Sequence, residues 1–225
     1  MSLPDVNEVR RRIEQVKRED IRFCLMSTYL LAARISEIVG YSSPSDETKG
    51  RGPRGTDVQI ENFQIGETIE KAAVFKLRTA KRGGKIRLVA LPMNPIYEPW
   101  TRPLYKYFRK HRSKLVFPFT RQLVWQYVRK WKVFDGLFYP VDKYAVWKDK
   151  RKVFDVDEHL KPFNLHALRH LRATELVQFY GFDGRDLATY GGWTFRSMGL
   201  PSTADRYLSL GWQSYFPKLL KRREH

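Results

Sequence analysis

The chain has 225 residues, enough for one full hydrophobic core, and its 42% apolar and 14% aromatic content describe a folded globule. Basic residues outnumber acidic ones by 42 to 24, and the net charge of +18 predicts an anionic partner, nucleic acid first. No apolar run reaches the roughly 18 residues of a membrane span, no signal-peptide pattern opens the chain, and the lone Cys24 argues against disulfides and a zinc site; the expected setting is intracellular and reducing, the cytoplasm or nucleoid of a prokaryotic host.

Val6–Lys17 reads as a short, charged helix. Ile21–Leu31 is apolar and helical and runs into a second helix, Ala32–Val39, stopped by Gly40. Within it Arg34 lies three residues before Glu37, an intrahelical ion pair with apolar flanks, which is unusual for a solvated pair. Ser42–Gly55 is a Ser-, Pro- and Gly-rich loop whose Arg51 and Arg54 are candidates for DNA contact. Two strands follow, Ala73–Arg78 and Lys85–Leu91. Gly83-Gly84 between them supplies the positive φ of a tight hairpin, with Lys81 at its mouth and Lys85 on the far arm.

Four prolines (Pro92, Pro95, Pro99 and Pro103) then break the path to a helix near Leu104–Lys114, and Leu123–Lys132 is another. Aromatic and basic residues interleave through Trp100–Arg112 and Trp125–Trp131, a pattern suited to nucleic acid. Val133–Lys161 is irregular and reads either as an insertion or as a β-hairpin. Its acidic run Asp155–His159 has adjacent, not convergent, residues, so it reads as a solvated loop and not as a metal site.

Asn164 is placed to cap a helix that ends at Gly181. Leu165, Leu168, Leu176 and Phe179 define its core-facing stripe, and both Arg169 and Arg172 fall inside that stripe. A cation there is costly unless an anion meets it. His166 lies one turn before Arg169 on the same side. Arg185–Tyr190 is a further short helix, and Ser202-Thr-Ala-Asp205 resembles a capping box that puts Tyr207 early in a last helix. The pattern predicts one α+β domain over residues 1–225, mostly helical with a small antiparallel sheet. Residues 1–19 would be a charged helix or linker, and 208–225 a basic tail.

In chain order, Ala33-Arg34-Ile35-Ser36-Glu37, the Lys81 hairpin, His166-x-x-Arg169-His170, Gly192-Trp193 and Tyr207 resemble the catalytic series of the tyrosine recombinases, of the phage and archaeal-virus integrase type. The resemblance runs from about Ile21 to Trp212, and Leu115–Arg121 is similar to the family's link before the second arginine box. It implies the DNA breaking-rejoining catalytic fold and cleavage through a covalent 3′-phosphotyrosine. Tyr207 would be the nucleophile, Arg34 and Arg169 would hold the non-bridging phosphate oxygens, and Lys81 would protonate the leaving 5′-oxygen. His166 would add a donor and help deprotonate Tyr207, a phenol of pKa near ~10 when unperturbed. Trp193 would donate its indole N–H to phosphate, with Glu37 and His170 in support. The resemblance further implies double-stranded DNA as partner, a tetramer on two DNA sites, integration of a mobile element as outcome, and no cofactor, neither ATP nor metal. Val133–Lys161 has no counterpart in the family, and the interval from Trp193 to Tyr207 is longer than usual there. A type IB topoisomerase shares the chemistry; a non-catalytic DNA-binding protein explains the charge but not the ordered boxes.

Overall fold

A computed structural model describes residues 4–40, 52–79, 85–141, 144–148, 151–155, 159–193 and 211–222, with side chains for all of these except 141–159. Arg51, Lys81, Gly83, Gly84, the Ser202–Asp205 capping box and Tyr207 lie outside the described residues. Three helices come first: α1 (Val6–Glu14), capped by Asp5, α2 (Glu19–Leu30) and the single turn α3 (Ile35–Ile38). A three-stranded antiparallel sheet follows in the order β1 (Val58–Ile65), β2 (Thr68–Arg78), β3 (Ile86–Pro92). Then come α4 (Thr101–Lys110), α5 (Arg121–Lys130), α6 (Leu165–Gln178) and α7 (Gly184–Gly191), with two 3-10 turns at Trp212–Ser214 and Phe216–Leu219. The expected α+β class with a small antiparallel sheet is what the chain forms.

α2 is the central element because Ile21, Cys24, Leu25, Tyr29 and Leu30 cover most of its circumference and all are fully buried. It packs against α1, α4 and α6. The inward residues of the sheet alternate as strand geometry requires: Phe75 and Leu77 on β2, Val89 and Leu91 on β3. Phe75 meets Phe108 of α4 edge-to-face at 5.1 Å between centroids. Asn164 caps α6 as its sequence predicts, accepting from the N–H groups of His166 and Ala167; α6 stops at Gln178, three residues before the expected Gly181, which takes φ +69° in the turn that follows.

Three segments differ from the sequence reading, and a fourth, left open there, takes one of its two alternatives. The helix expected over Ala32–Val39 is cut to Ile35–Ile38, because Ala32 takes a left-handed conformation (φ 42°) that ends α2 and turns its last carbonyls outward. β1 was not expected. Its apolar residues Val58 and Ile60 change parity at Phe63 and Ile65, which hides the period of two. The described residues from Phe138 onward in Val133–Lys161 form antiparallel ladders: β4 (Phe138–Val141) pairs with β7 (His159–Pro162), and between them in sequence β5 (Tyr144–Lys148) pairs with β6 (Arg151–Asp155). The end of the chain is not a solvated tail throughout, since Trp212, Tyr215, Phe216 and Leu219 are buried. Phe63 takes Trp212 and Phe216 against its ring, and the Tyr215 hydroxyl accepts from the Ala90 N–H at 3.0 Å. Among the described residues no helix is long and apolar enough to cross a membrane.

Candidate functional site

The C-terminus of α2 collects the site. Its last carbonyls lack helical partners and carry about half a negative charge from the helix dipole. Three side chains from distant elements satisfy them. The Tyr190 hydroxyl of α7 donates to Leu30 O, Arg87 of β3 donates to Leu31 O at 3.0 Å, and Arg169 of α6 donates to Ala32 O at 2.6 Å. Arg87 also donates to Tyr190 O, and Arg169 to Gly191 O at 2.9 Å, so both arginines tie α2 to the end of α7.

One carboxylate stands among these cations. Glu37 is 3% exposed. Its Oε1 accepts from Arg34 Nη1 at 3.0 Å, while Oε2 faces Arg87 at 3.3 Å and Arg169 at 3.6 Å. Oε2 also accepts from the Arg34 backbone N–H, so Glu37 caps the short helix that presents Arg34. Arg87 and Arg169 are buried, whereas the Arg34 side chain is 30% exposed and is the part of the cluster open to a ligand.

The charges do not cancel. Among the described residues three guanidiniums meet one carboxylate and a helix C-terminus worth about half a charge. Arg169 records the imbalance: burial, then the Arg87 charge, and also Arg34, push its pKa down to about 9 against the pull of Glu37. Arg87 is likewise lowered, by burial first. A bound anion would relieve both. Inorganic phosphate should therefore raise the melting temperature of this protein, and much less that of Arg34→Ala. With about 10 mM phosphate and a dissociation constant near ~1 mM the gain is about 1.4 kcal/mol, roughly 3–6 °C at this chain length. Equal shifts in the two proteins, measured by scanning calorimetry, would remove the cluster as an anion site.

The Gly191-Gly192-Trp193 run has a local cause. Gly192 ends α7 with φ +66°, and a Cβ there would come within 3.0 Å of Arg87 Cδ. A Cβ on Gly191 would fall 1.7 Å from the Trp193 ring. Both glycines let the chain double back so that the half-buried Trp193 lies over Arg169, with 4.2 Å from the guanidinium carbon to the ring centroid. On α6, His166 and His170 are exposed, their rings edge-to-face at 4.7 Å. Part burial of its ring, then the Arg169 charge, holds His170 below the ordinary histidine value.

The structure thus brings Arg34, Glu37, Arg169 and Trp193 into one cluster, with His166 and His170 on the same helix as Arg169. Arg172, the other cation on the core stripe, does not join them. It bonds Glu175 at 2.6 Å and sits among Tyr29, Tyr180 and Tyr190, a buried structural network. Lys85 is exposed beside the hairpin connection, where the Thr79 N–H bonds the Lys85 carbonyl at 2.9 Å and closes the pair that brackets Lys81 in sequence. Arg54 is exposed, but its guanidinium donates to Ser113 O at 2.6 Å and pins its loop to the end of α4. Arg87 was missed. The signal was present, since Arg87 has the same parity as the inward Val89 and Leu91.

No protein-family model, curated protein or solved structure matches this chain. Among the described residues no three His, Cys, Asp or Glu side chains converge as a metal site.

Proposed function

We propose that this chain is a tyrosine-recombinase catalytic domain that cuts and rejoins DNA through a covalent phosphotyrosine at Tyr207, as the integrase of a mobile element. The observation that carries the reading is the net positive cluster of Arg34, Arg87 and Arg169 around the buried Glu37. A phosphodiester under attack gathers charge on its non-bridging oxygens, and preorganised guanidiniums are suited to receive it. In the step, His166 takes the proton of the Tyr207 hydroxyl, the Tyr207 oxygen forms a bond to phosphorus, the bond from phosphorus to the 5′-oxygen breaks, and Lys81 gives that oxygen its proton. The phosphotyrosine keeps the energy of the broken bond, so the reverse attack by a 5′-hydroxyl rejoins the strand. Arg34 would touch the phosphate; Arg87 and Arg169 would hold the cluster's charge behind it. The test is incubation with a nicked suicide substrate and peptide mapping of the DNA adduct, expected on Tyr207. Assembly as a tetramer on two DNA sites belongs to the same proposal, and exchange of strands, as against relaxation of supercoils, separates it from a topoisomerase.

A purely structural cluster is the second reading, favoured by the donors that Arg169 spends on Ala32 O and Gly191 O. Lys81 distinguishes the two. Lys81→Ala should slow cleavage of ordinary DNA strongly, and a 5′-phosphorothiolate substrate, whose leaving sulfur needs little protonation, should restore most of the rate. The same substrate should not rescue Arg169→Ala, and Lys85→Ala should be mild. No cleavage by any of these proteins would leave the structural reading.

A further inference from the structure

A second basic site lies at the other end of α2. The C-terminal ends of α1 and α5 enclose a cleft of about 350 Å³, lined by Arg11, Arg12, Lys17, Tyr127, Trp131 and Lys132 among others. Trp131 is 60% exposed, an unusual state for the largest aromatic side chain, and its ring lies 6.1 Å from that of Tyr127. Val16 and Val133 add an apolar surface beside the rings. Four of the lining residues are cations and none is a carboxylate. Glu8, outside the lining, bonds Arg11 and Arg12, whereas among the described residues no carboxylate pairs with Lys17 or Lys132. Arg12 also donates to Asp135 O at 2.6 Å, which fixes the turn after α5 against α1. In that turn Lys132 holds φ +48°, a conformation rare for a residue with a side chain and often kept at ligand clamps.

We propose that this cleft is a pocket for one unpaired nucleobase of a DNA strand. A flat exposed indole beside lysines fits a base stacked on the ring with its flanking phosphates on the ammonium groups. The volume admits a single nucleotide and not a duplex, whose paired bases keep both faces covered. The placement adds a distance. Lys17 precedes α2, and the arginine cluster gathers at its other end. The 12 residues of α2 span about 18 Å, or roughly five nucleotides at ~3.4 Å each. The pocket does not depend on cleavage chemistry.

The experiment uses the full chain, with fluorescence anisotropy of a labelled oligothymidylate strand and of a duplex of equal length. Trp131→Ala should weaken binding of the single strand about ten-fold, and Trp131→Phe, which keeps a stacking face, should retain most of it. Duplex binding should stay within about two-fold in both variants, and Tyr207→Phe should bind the strand as the unmodified protein does, whatever its cleavage activity. An equal loss for strand and duplex, or no loss for the strand, overturns the pocket. Displacement of the strand by an equimolar amount of free thymidine monophosphate overturns the strand as its occupant.

Discussion

Glu37→Ala should cost the fold about 3–5 kcal/mol, the usual effect of removing one partner of a buried ion pair. The loss is large because the carboxylate serves three cations at once, two of them buried. Without it Arg87 and Arg169 keep, among the described residues, only carbonyl hydrogen-bond acceptors and, for Arg169, the Trp193 ring, and α3 loses the cap that presents Arg34. Against a typical total of about 5–15 kcal/mol, this takes a large share of the stability. The melting temperature should fall by roughly 6–20 °C. Glu37→Gln keeps the shape and loses the charge, so it should fall less and gain more from added phosphate than the unmodified protein does. Arg34→Ala is the control. Its side chain is partly in water, and its removal lightens the positive excess, so its melting temperature should fall far less. Equal losses for Glu37→Ala and Arg34→Ala in calorimetry would mean that the carboxylate does not hold the cluster together.

How legible this cluster was in the sequence depends on the kind of signal each residue gave. Arg169 was visible because a helical period of 3.6 put a cation on an apolar stripe, and the structure meets it with Glu37, as the cost of a buried charge required. Arg172 gave the same signal and proved structural; only the tertiary neighbours Tyr29, Tyr180 and Tyr190, from two other elements and the end of α6, separate the two. Arg87 is signalled only by the parity of β3, which the glycines and lysines of the hairpin do not report. The break between α2 and α3 could not be read from propensity, since Ala32 is a strong helix former held in a left-handed turn. Long-range hydrogen bonds from three side chains, Tyr190, Arg87 and Arg169, hold the carbonyls that this turn presents. The β structure of Val133–Lys161 was undecided for a related reason: nested ladders pair residues far apart in sequence, which leaves little local signature.

Tyr207→Phe should abolish the covalent DNA adduct while leaving DNA binding unchanged, the largest functional effect expected of any single substitution here. Loss of a preorganised arginine costs on the order of 10²–10³ in rate and leaves the reaction possible; loss of the attacking hydroxyl leaves nothing to form the bond. The structure weakens the two nearest competitors. Tyr190 is fully buried, its hydroxyl bonded to Leu30 O and near Arg172, and burial raises its pKa. Tyr215 is equally buried, with its hydroxyl on the Ala90 N–H and its pKa raised by the same cause. Neither can reach a phosphate without unpacking the core. Tyr207, outside the described residues, lies four positions before Gly211 in the sequence. The 3-10 turn that follows packs on β3 and α7, the elements that carry Arg87 and Gly191. On the nicked suicide substrate, the adduct should map to Tyr207 in the unmodified protein and vanish in Tyr207→Phe, with binding checked by anisotropy. An adduct that survives the substitution and maps to Tyr190 or Tyr215 would refute the assignment and require those packed rings to leave the core; one that maps to any other tyrosine would move the nucleophile but keep the chemistry.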